Sequence, residues 1–149
     1  MLFSLNEVIE KYDSRLYFYC LMTNHVHLTI QTGEIKISEI MKIINELYTK
    51  YFNNKYNLVG HLFQGRYNWK FIANDKCLLE VSRYVHLNPV TANIVKKPEE
   101  YHWSSYPMII GEKKEKLIDS NKILSYFNEN NKRKSYKNFV ESDIKTRLD

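Results

Sequence analysis

The spacing of apolar residues along this chain switches between helical and strand periods, and the switches outline its elements. From Leu2 to Tyr12 the pattern is helical, with Leu5, Val8, Ile9 and Tyr12 on one side. Ser14 to Met22 alternates and is rich in tyrosine and phenylalanine, which predicts a strand. Thr23-Asn24 is a turn signal, and His25 to Thr32 reads as the returning arm of a hairpin. Side chains alternate across a strand, so His25 and His27 share one face while Val26, Leu28 and Ile30 point to a core.

Ser38 is a candidate N-cap with Glu39 in the first turn, followed by a helical stripe of Ile40, Met41, Ile44, Leu47, Tyr48 and Tyr51. Asn53-Asn54 and Asn57 are expected to break that helix. Leu58 to Ile72 holds Gly60, Gly65 and a basic-aromatic mixture, predicting a loop and then a short strand near Tyr67 to Ile72. Asn74-Asp75 opens another helix with Leu78, Val81 and Val85 on its core side, and Asn88-Pro89 is expected to end it. Tyr101 to Tyr106 reads as a polar-aromatic loop and Glu112 to Lys116 as a solvated charge run. Beyond Asn121, apolar residues at Ile123, Leu124, Phe127, Tyr136, Phe139 and Val140 predict one or two small helices. Together these predict an α+β fold, an antiparallel sheet of about three or four strands with helices mainly on one side.

A length of 149 residues suits one domain with a real core. A formal charge of +5 and twelve tyrosines suit a polyanionic partner with bases to stack on, although an AT-rich coding sequence would raise lysine and tyrosine as well. Cys20 and Cys77 sit in apolar contexts far apart, which favours reduced thiols over a disulfide. No signal-like segment and no apolar run long enough to span a membrane is visible, so a cytoplasmic location is expected.

The chemistry concentrates in two places. His25 and His27 can grip one metal ion from a sheet surface. Tyr84 and Asn88 lie four residues apart on a predicted helix and share a face. If that face packs over the histidine strand, His25, His27 and Asn88 can hold Mg²⁺ or Mn²⁺ while Tyr84 attacks a phosphorus atom. A free phenol has a pKa of ~10, so a nearby cation must stabilise its phenolate. Singly, each piece has a plainer reading. A tyrosine in a helix ordinarily packs, an asparagine before proline stops a helix, and His61, His86 and His102 are ordinary core or surface residues.

Several ordered runs carry a family resemblance. They include Tyr19-Cys20-Leu21-Met22-Thr23-Asn24-His25-Val26-His27-Leu28, Gly60-His61-Leu62-Phe63-Gln64-Gly65-Arg66-Tyr67, Arg83-Tyr84-Val85-His86-Leu87-Asn88-Pro89-Val90 and Tyr101-His102-Trp103-Ser104-Ser105-Tyr106. With them the chain resembles the single-tyrosine HUH transposases of bacterial insertion sequences, most closely the branch associated with REP elements. The resemblance implies a ferredoxin-like sheet and one domain over 1–149, with its core at about 5–106 and a helical extension at about 117–149. It implies cleavage of single-stranded DNA at the foot of a hairpin through a 5′-phosphotyrosine, with a divalent metal and a homodimer. By position, Tyr84 matches the nucleophile, and His25, His27 and Asn88 match the metal ligands. Gln64, Arg66, Lys70 and Arg83 are the candidate DNA contacts. Trp103 is expected in the core rather than against a base.

One departure stands out. Family members usually begin with an extra strand beside the histidine strand, whereas this sequence starts inside the first helix. An upstream start, a partner chain completing the sheet, or a decayed remnant would each account for it. The expectations are therefore a strand-transferring transposase or an inactive descendant that binds hairpin nucleic acid. A plain metal-dependent phosphodiesterase lacks the acidic ligands such sites use.

Overall fold

The structure is a computed structural model that describes residues 1–127 and 129–148, with the backbone alone for 129 and 145–148. Its helices are α1 (Leu2–Lys11), α2 (Ile37–Tyr56), α3 (Asp75–Thr91), α4 (Tyr106–Ile109), α5 (Asn121–Leu124) and α6 (Lys132–Leu148). Two antiparallel strands, β1 (Arg15–Leu21) and β2 (Val26–Gln31), form the sheet. The fold is α+β, but its sheet has two strands among the described residues, not three or four. Contacts divide the chain into two units, Met1–Arg15 with Gln31–Phe71 and Leu16–Ile30 with Ile72–Asp149.

In the first unit α1 packs on α2, burying Leu5 and Val8 with Ile40, Met41 and Ile44. The N-cap of α2 is Lys36 rather than Ser38, which lies inside the first turn. The helix also runs through Asn53-Asn54 and stops at Asn57, whose left-handed backbone (φ 52°) is the usual helix terminator. Only the first half of its apolar stripe is buried, and Tyr51 is exposed. Gly33 permits a close approach, since a Cβ there would meet the carbonyl oxygens of Tyr12 and Asp13 at 2.8 Å. No strand forms near 67–72: a strand needs a backbone to pair with, and none is supplied there. Gln64, Arg66 and Lys70 are exposed in this irregular segment.

In the second unit β1 is buried on both faces, by Leu16, Phe18 and Cys20 on one and Tyr19 on the other. Isolated bridges take up part of its second edge, Leu16 with Ile118 and Cys20 with Ser104. The expected polar-aromatic loop is therefore partly core: Tyr101, Ser104, Ser105 and Tyr106 are buried. Thr29 is the buried residue of β2, whereas Val26, Leu28 and Ile30 are half-buried. On the histidine face Thr29 is buried while His25 and Gln31 are exposed, so neither face of β2 is fully covered. Both cysteines are free, and burial pushes the Cys20 thiol up to about 12.

Asn74 caps α3, its side chain accepting from the Cys77 amide at 2.9 Å. Contrary to the expected stop, α3 continues past Pro89 to Thr91. Proline removes one amide donor, but Leu87 and Pro89 are buried and the next turn closes through Ala92 N–H to the Asn88 carbonyl at 2.9 Å. The helix α6, longer than the small helices expected, packs on α3 with Tyr136 and Val140 buried.

Candidate active site at the hairpin turn and helix α3

Three polar side chains of the second unit meet at one point. His25, at the hairpin turn, and His27, in β2, bring their Nε2 atoms to 3.0 Å with the rings nearly perpendicular. Strand alternation puts both on one face. The amide nitrogen Nδ2 of Asn88, from α3, lies 3.1 Å from the same Nε2 of His27. One helical turn earlier, Tyr84 stands edge-on to His27, with 5.6 Å between ring centroids. Its side chain has little cover: Tyr84 is 57% exposed.

Asn24 is a further participant that sequence reasoning took only for a turn residue. Its Oδ1 lies 2.7 Å from Nδ1 of His25. An amide oxygen only accepts, so the His25 proton sits on Nδ1 and Nε2 presents a lone pair to the meeting point. The sequence signal was its position directly before the first histidine. Burial first, and the neighbouring His25 second, lower the His27 pKa. Both causes favour the neutral ring, the form that ligates metals.

The donor set fits a divalent ion. Two ligand atoms at about 2.1 Å from one six-coordinate ion, at right angles, are about 3.0 Å apart, as the imidazole nitrogens are. Two neutral imidazoles and, with the amide turned over, the Asn88 oxygen would leave coordination positions for oxygens of a substrate. The described residues contain no group of three or more His, Cys, Asp or Glu able to hold a metal, and the polar side chain that joins the two imidazoles here is the Asn88 amide.

The back of α3 anchors this arrangement. His86 lies between Tyr84 and Asn88 in sequence but is fully buried, and burial lowers its pKa to about 3. Its Nδ1 is 2.7 Å from the Tyr136 hydroxyl and its Nε2 is 3.0 Å from Ser105 Oγ. Ser105 in turn accepts from the Tyr19 amide at 2.9 Å and donates to the Tyr19 carbonyl at 3.1 Å. A continuous polar path thus ties the helix carrying Tyr84 to the strand preceding the histidine turn.

Arg83 is occupied within the fold. It pairs with Glu80, and its guanidinium lies 4.5 Å from the ring centre of Phe139 on α6. Trp103, expected in the core, is 52% exposed.

This is an α+β protein with a candidate site where a hairpin turn meets a helix. It belongs to the family described as "Transposase IS200 like", which matches residues 3–88, more than half of the chain. The match includes His25, His27, Tyr84 and Asn88. Membership makes the chain a transposase in kind, with DNA as its partner and DNA transposition and recombination as its process. No curated protein and no solved structure matches the chain. Among the described residues, no helix is long and apolar enough to cross a membrane.

Proposed function

We propose that this chain cleaves single-stranded DNA at the foot of a hairpin and rejoins it through a covalent link to Tyr84. The observation that carries this reading is an exposed phenol packed edge-on against one of two converging imidazoles. Other aromatic residues of the chain are exposed as well, and what sets Tyr84 apart is that its accessible ring touches His27.

His25, His27 and the Asn88 amide would hold Mg²⁺ or Mn²⁺. When bound, that ion supplies a Lewis acid that polarises a phosphoryl oxygen and favours the phenolate over the phenol. The Tyr84 oxygen attacks phosphorus as the bond from phosphorus to the 3′ oxygen of the departing strand breaks. The departing oxygen takes up a proton and becomes a 3′-hydroxyl. The 5′-phosphotyrosine keeps the phosphoester, so another 3′-hydroxyl can attack it, release Tyr84 and join a new strand. Asn24 holds His25 in the ligating tautomer, and the His27 ring restrains the swing of Tyr84. Action as a homodimer belongs to this reading and rests on the resemblance alone, and a cytoplasmic location is part of the same reading.

The test is to incubate the protein with Mn²⁺ and hairpin DNA carrying single-stranded flanks from its own locus, then look for a denaturation-resistant adduct. Tyr84→Phe is expected to abolish the adduct and keep DNA binding. His25→Ala is expected to lose both the adduct and affinity for the ion. An adduct that persists in Tyr84→Phe overturns the proposal. Binding without any adduct in the parent also overturns it, in favour of an inactive hairpin-binding descendant.

A further inference from the structure

A second feature of the same unit has no part in this chemistry. A cleft of about 630 Å³ opens between the segment after α4 and the start of α6. Gly111, with φ 86°, turns the chain at its edge, and a Cβ there would press on Arg133 at 3.0 Å. Five cationic side chains line it against two carboxylates. Both carboxylates are committed inside the fold. Glu115 accepts from the amide and hydroxyl of Ser120, at 3.0 and 2.5 Å, and Glu112 pairs with Lys137 at 3.3 Å. Arg133 is committed too, donating to the carbonyls of Met108 and Ile109 at 2.7 and 2.6 Å. Lys137 is shared among Glu99, Glu112 and Glu141. Lys113, Lys114 and Lys134 are left exposed, none with a carboxylate partner among the described residues. Among the described residues the cleft therefore carries three positive charges with no carboxylate partner.

The surroundings connect this charge to the candidate site. The Lys113 amine lies 3.1 Å from Nδ1 of His102, and the His102 ring stands edge-on to Trp103 at 5.0 Å between centroids. The Trp103 carbonyl accepts from the Leu21 amide at 2.9 Å, at the last residue of β1. The next residue, Met22, donates to the His25 carbonyl at 2.9 Å and closes the hairpin. Trp103, half exposed, is thus bonded through its backbone to the strand end that leads into the turn carrying His25 and His27, and through His102 it adjoins Lys113 of the cleft.

We propose that Trp103 and the cleft of Lys113, Lys114 and Lys134 form a track for single-stranded DNA extending from the candidate active site. Trp103 stacks on an unpaired base, and the three ammonium groups hold successive phosphates. Exposed aromatic surface followed by unpaired cations is the pattern of a single-strand groove. An anionic lipid surface would find the cations but no use for the indole. The proposal takes the family's DNA partner as given and does not depend on covalent chemistry at Tyr84.

The test compares a hairpin alone with the same hairpin carrying a long single-stranded extension on either side, in the absence of divalent ions, by fluorescence anisotropy at several salt concentrations. In the Lys113→Gln/Lys114→Gln/Lys134→Gln variant, the affinity gained from the extension is expected to vanish. The slope of log affinity against log salt should fall by about 2, at about 0.7 per single-strand phosphate. Trp103→Ala is expected to weaken binding of the extended DNA about tenfold without changing the slope, and Trp103→Phe to restore it. Parent-like affinity and slope in the triple variant would overturn the track. So would loss of binding to phosphatidylserine vesicles in that variant with DNA binding unchanged. Adduct formation on DNA with minimal flanks is scored separately. A chain that never forms an adduct, yet loses the extension-dependent affinity in these variants, upholds the track and overturns the proposed catalysis.

Discussion

The Nδ1 of His25 donates to Oδ1 of Asn24 across 2.7 Å, and this one hydrogen bond decides which nitrogen of the imidazole is free. Partners that fix a ligand's tautomer typically contribute tenfold to a hundredfold in metal affinity. Asn24→Ala is therefore expected to weaken Mn²⁺ binding by roughly tenfold or more, read by isothermal titration calorimetry. Unchanged affinity would mean that the ring orients itself without help.

In the proposed site Asn88 would supply a neutral oxygen where many metal sites place a carboxylate. Asn88→Asp adds a charge at the same reach and should tighten Mn²⁺ binding, while Asn88→Ala should weaken it. Calorimetry on the pair separates a ligand from a bystander, because a residue that merely packs against His27 would not move the affinity in opposite directions.

His86 makes stability depend on acidity. Its folded pKa of about 3 lies below the ordinary value of 6.5. Between the two, the unfolded chain binds a proton that the folded chain does not, so stability falls as pH is lowered. The contribution is fully present above about pH 6.5 and declines by about 1.4 kcal/mol per pH unit towards the folded pKa. Urea unfolding at pH 7, 6, 5 and 4 should show this loss, and His86→Gln should flatten it. Parallel pH profiles for the two proteins would contradict the buried, neutral imidazole.

The cap on α3 is a long way down the helix from the candidate site and should affect stability alone. Asn74→Ala removes the acceptor for the Cys77 amide. The expected cost is about 1 kcal/mol, or about 3 °C in melting temperature for a chain of this size. Mn²⁺ affinity of the folded protein should stay as it was.

Local features were legible in the sequence because their causes are local. Asn74 reads as a cap because a cap bonds within its own first turn. The pairing of His25 with His27, and of Tyr84 with Asn88, follows from the periods of strand and helix. Features that depend on distant partners were not legible. The segment near Tyr67 has strand-like residues but no strand to join. Pro89 reads as a stop, yet burial among distant side chains carries the helix another turn. Ser105 bonds the backbone of Tyr19 from 86 residues away, and nothing in its own run of sequence announces that. Trp103 reads as core by residue type, and only the fold shows the indole half open to solvent.

The polar path behind α3 has a mechanical consequence. His86 faces inward on the same helix that turns Tyr84 and Asn88 outward, so the helix is keyed like a shaft in its bearing. Rolling it by a single residue would bring Val85 to the place of Tyr84 and strip His86 of Tyr136 and Ser105 together. The aim of the phenol is set by groups that no DNA strand can reach.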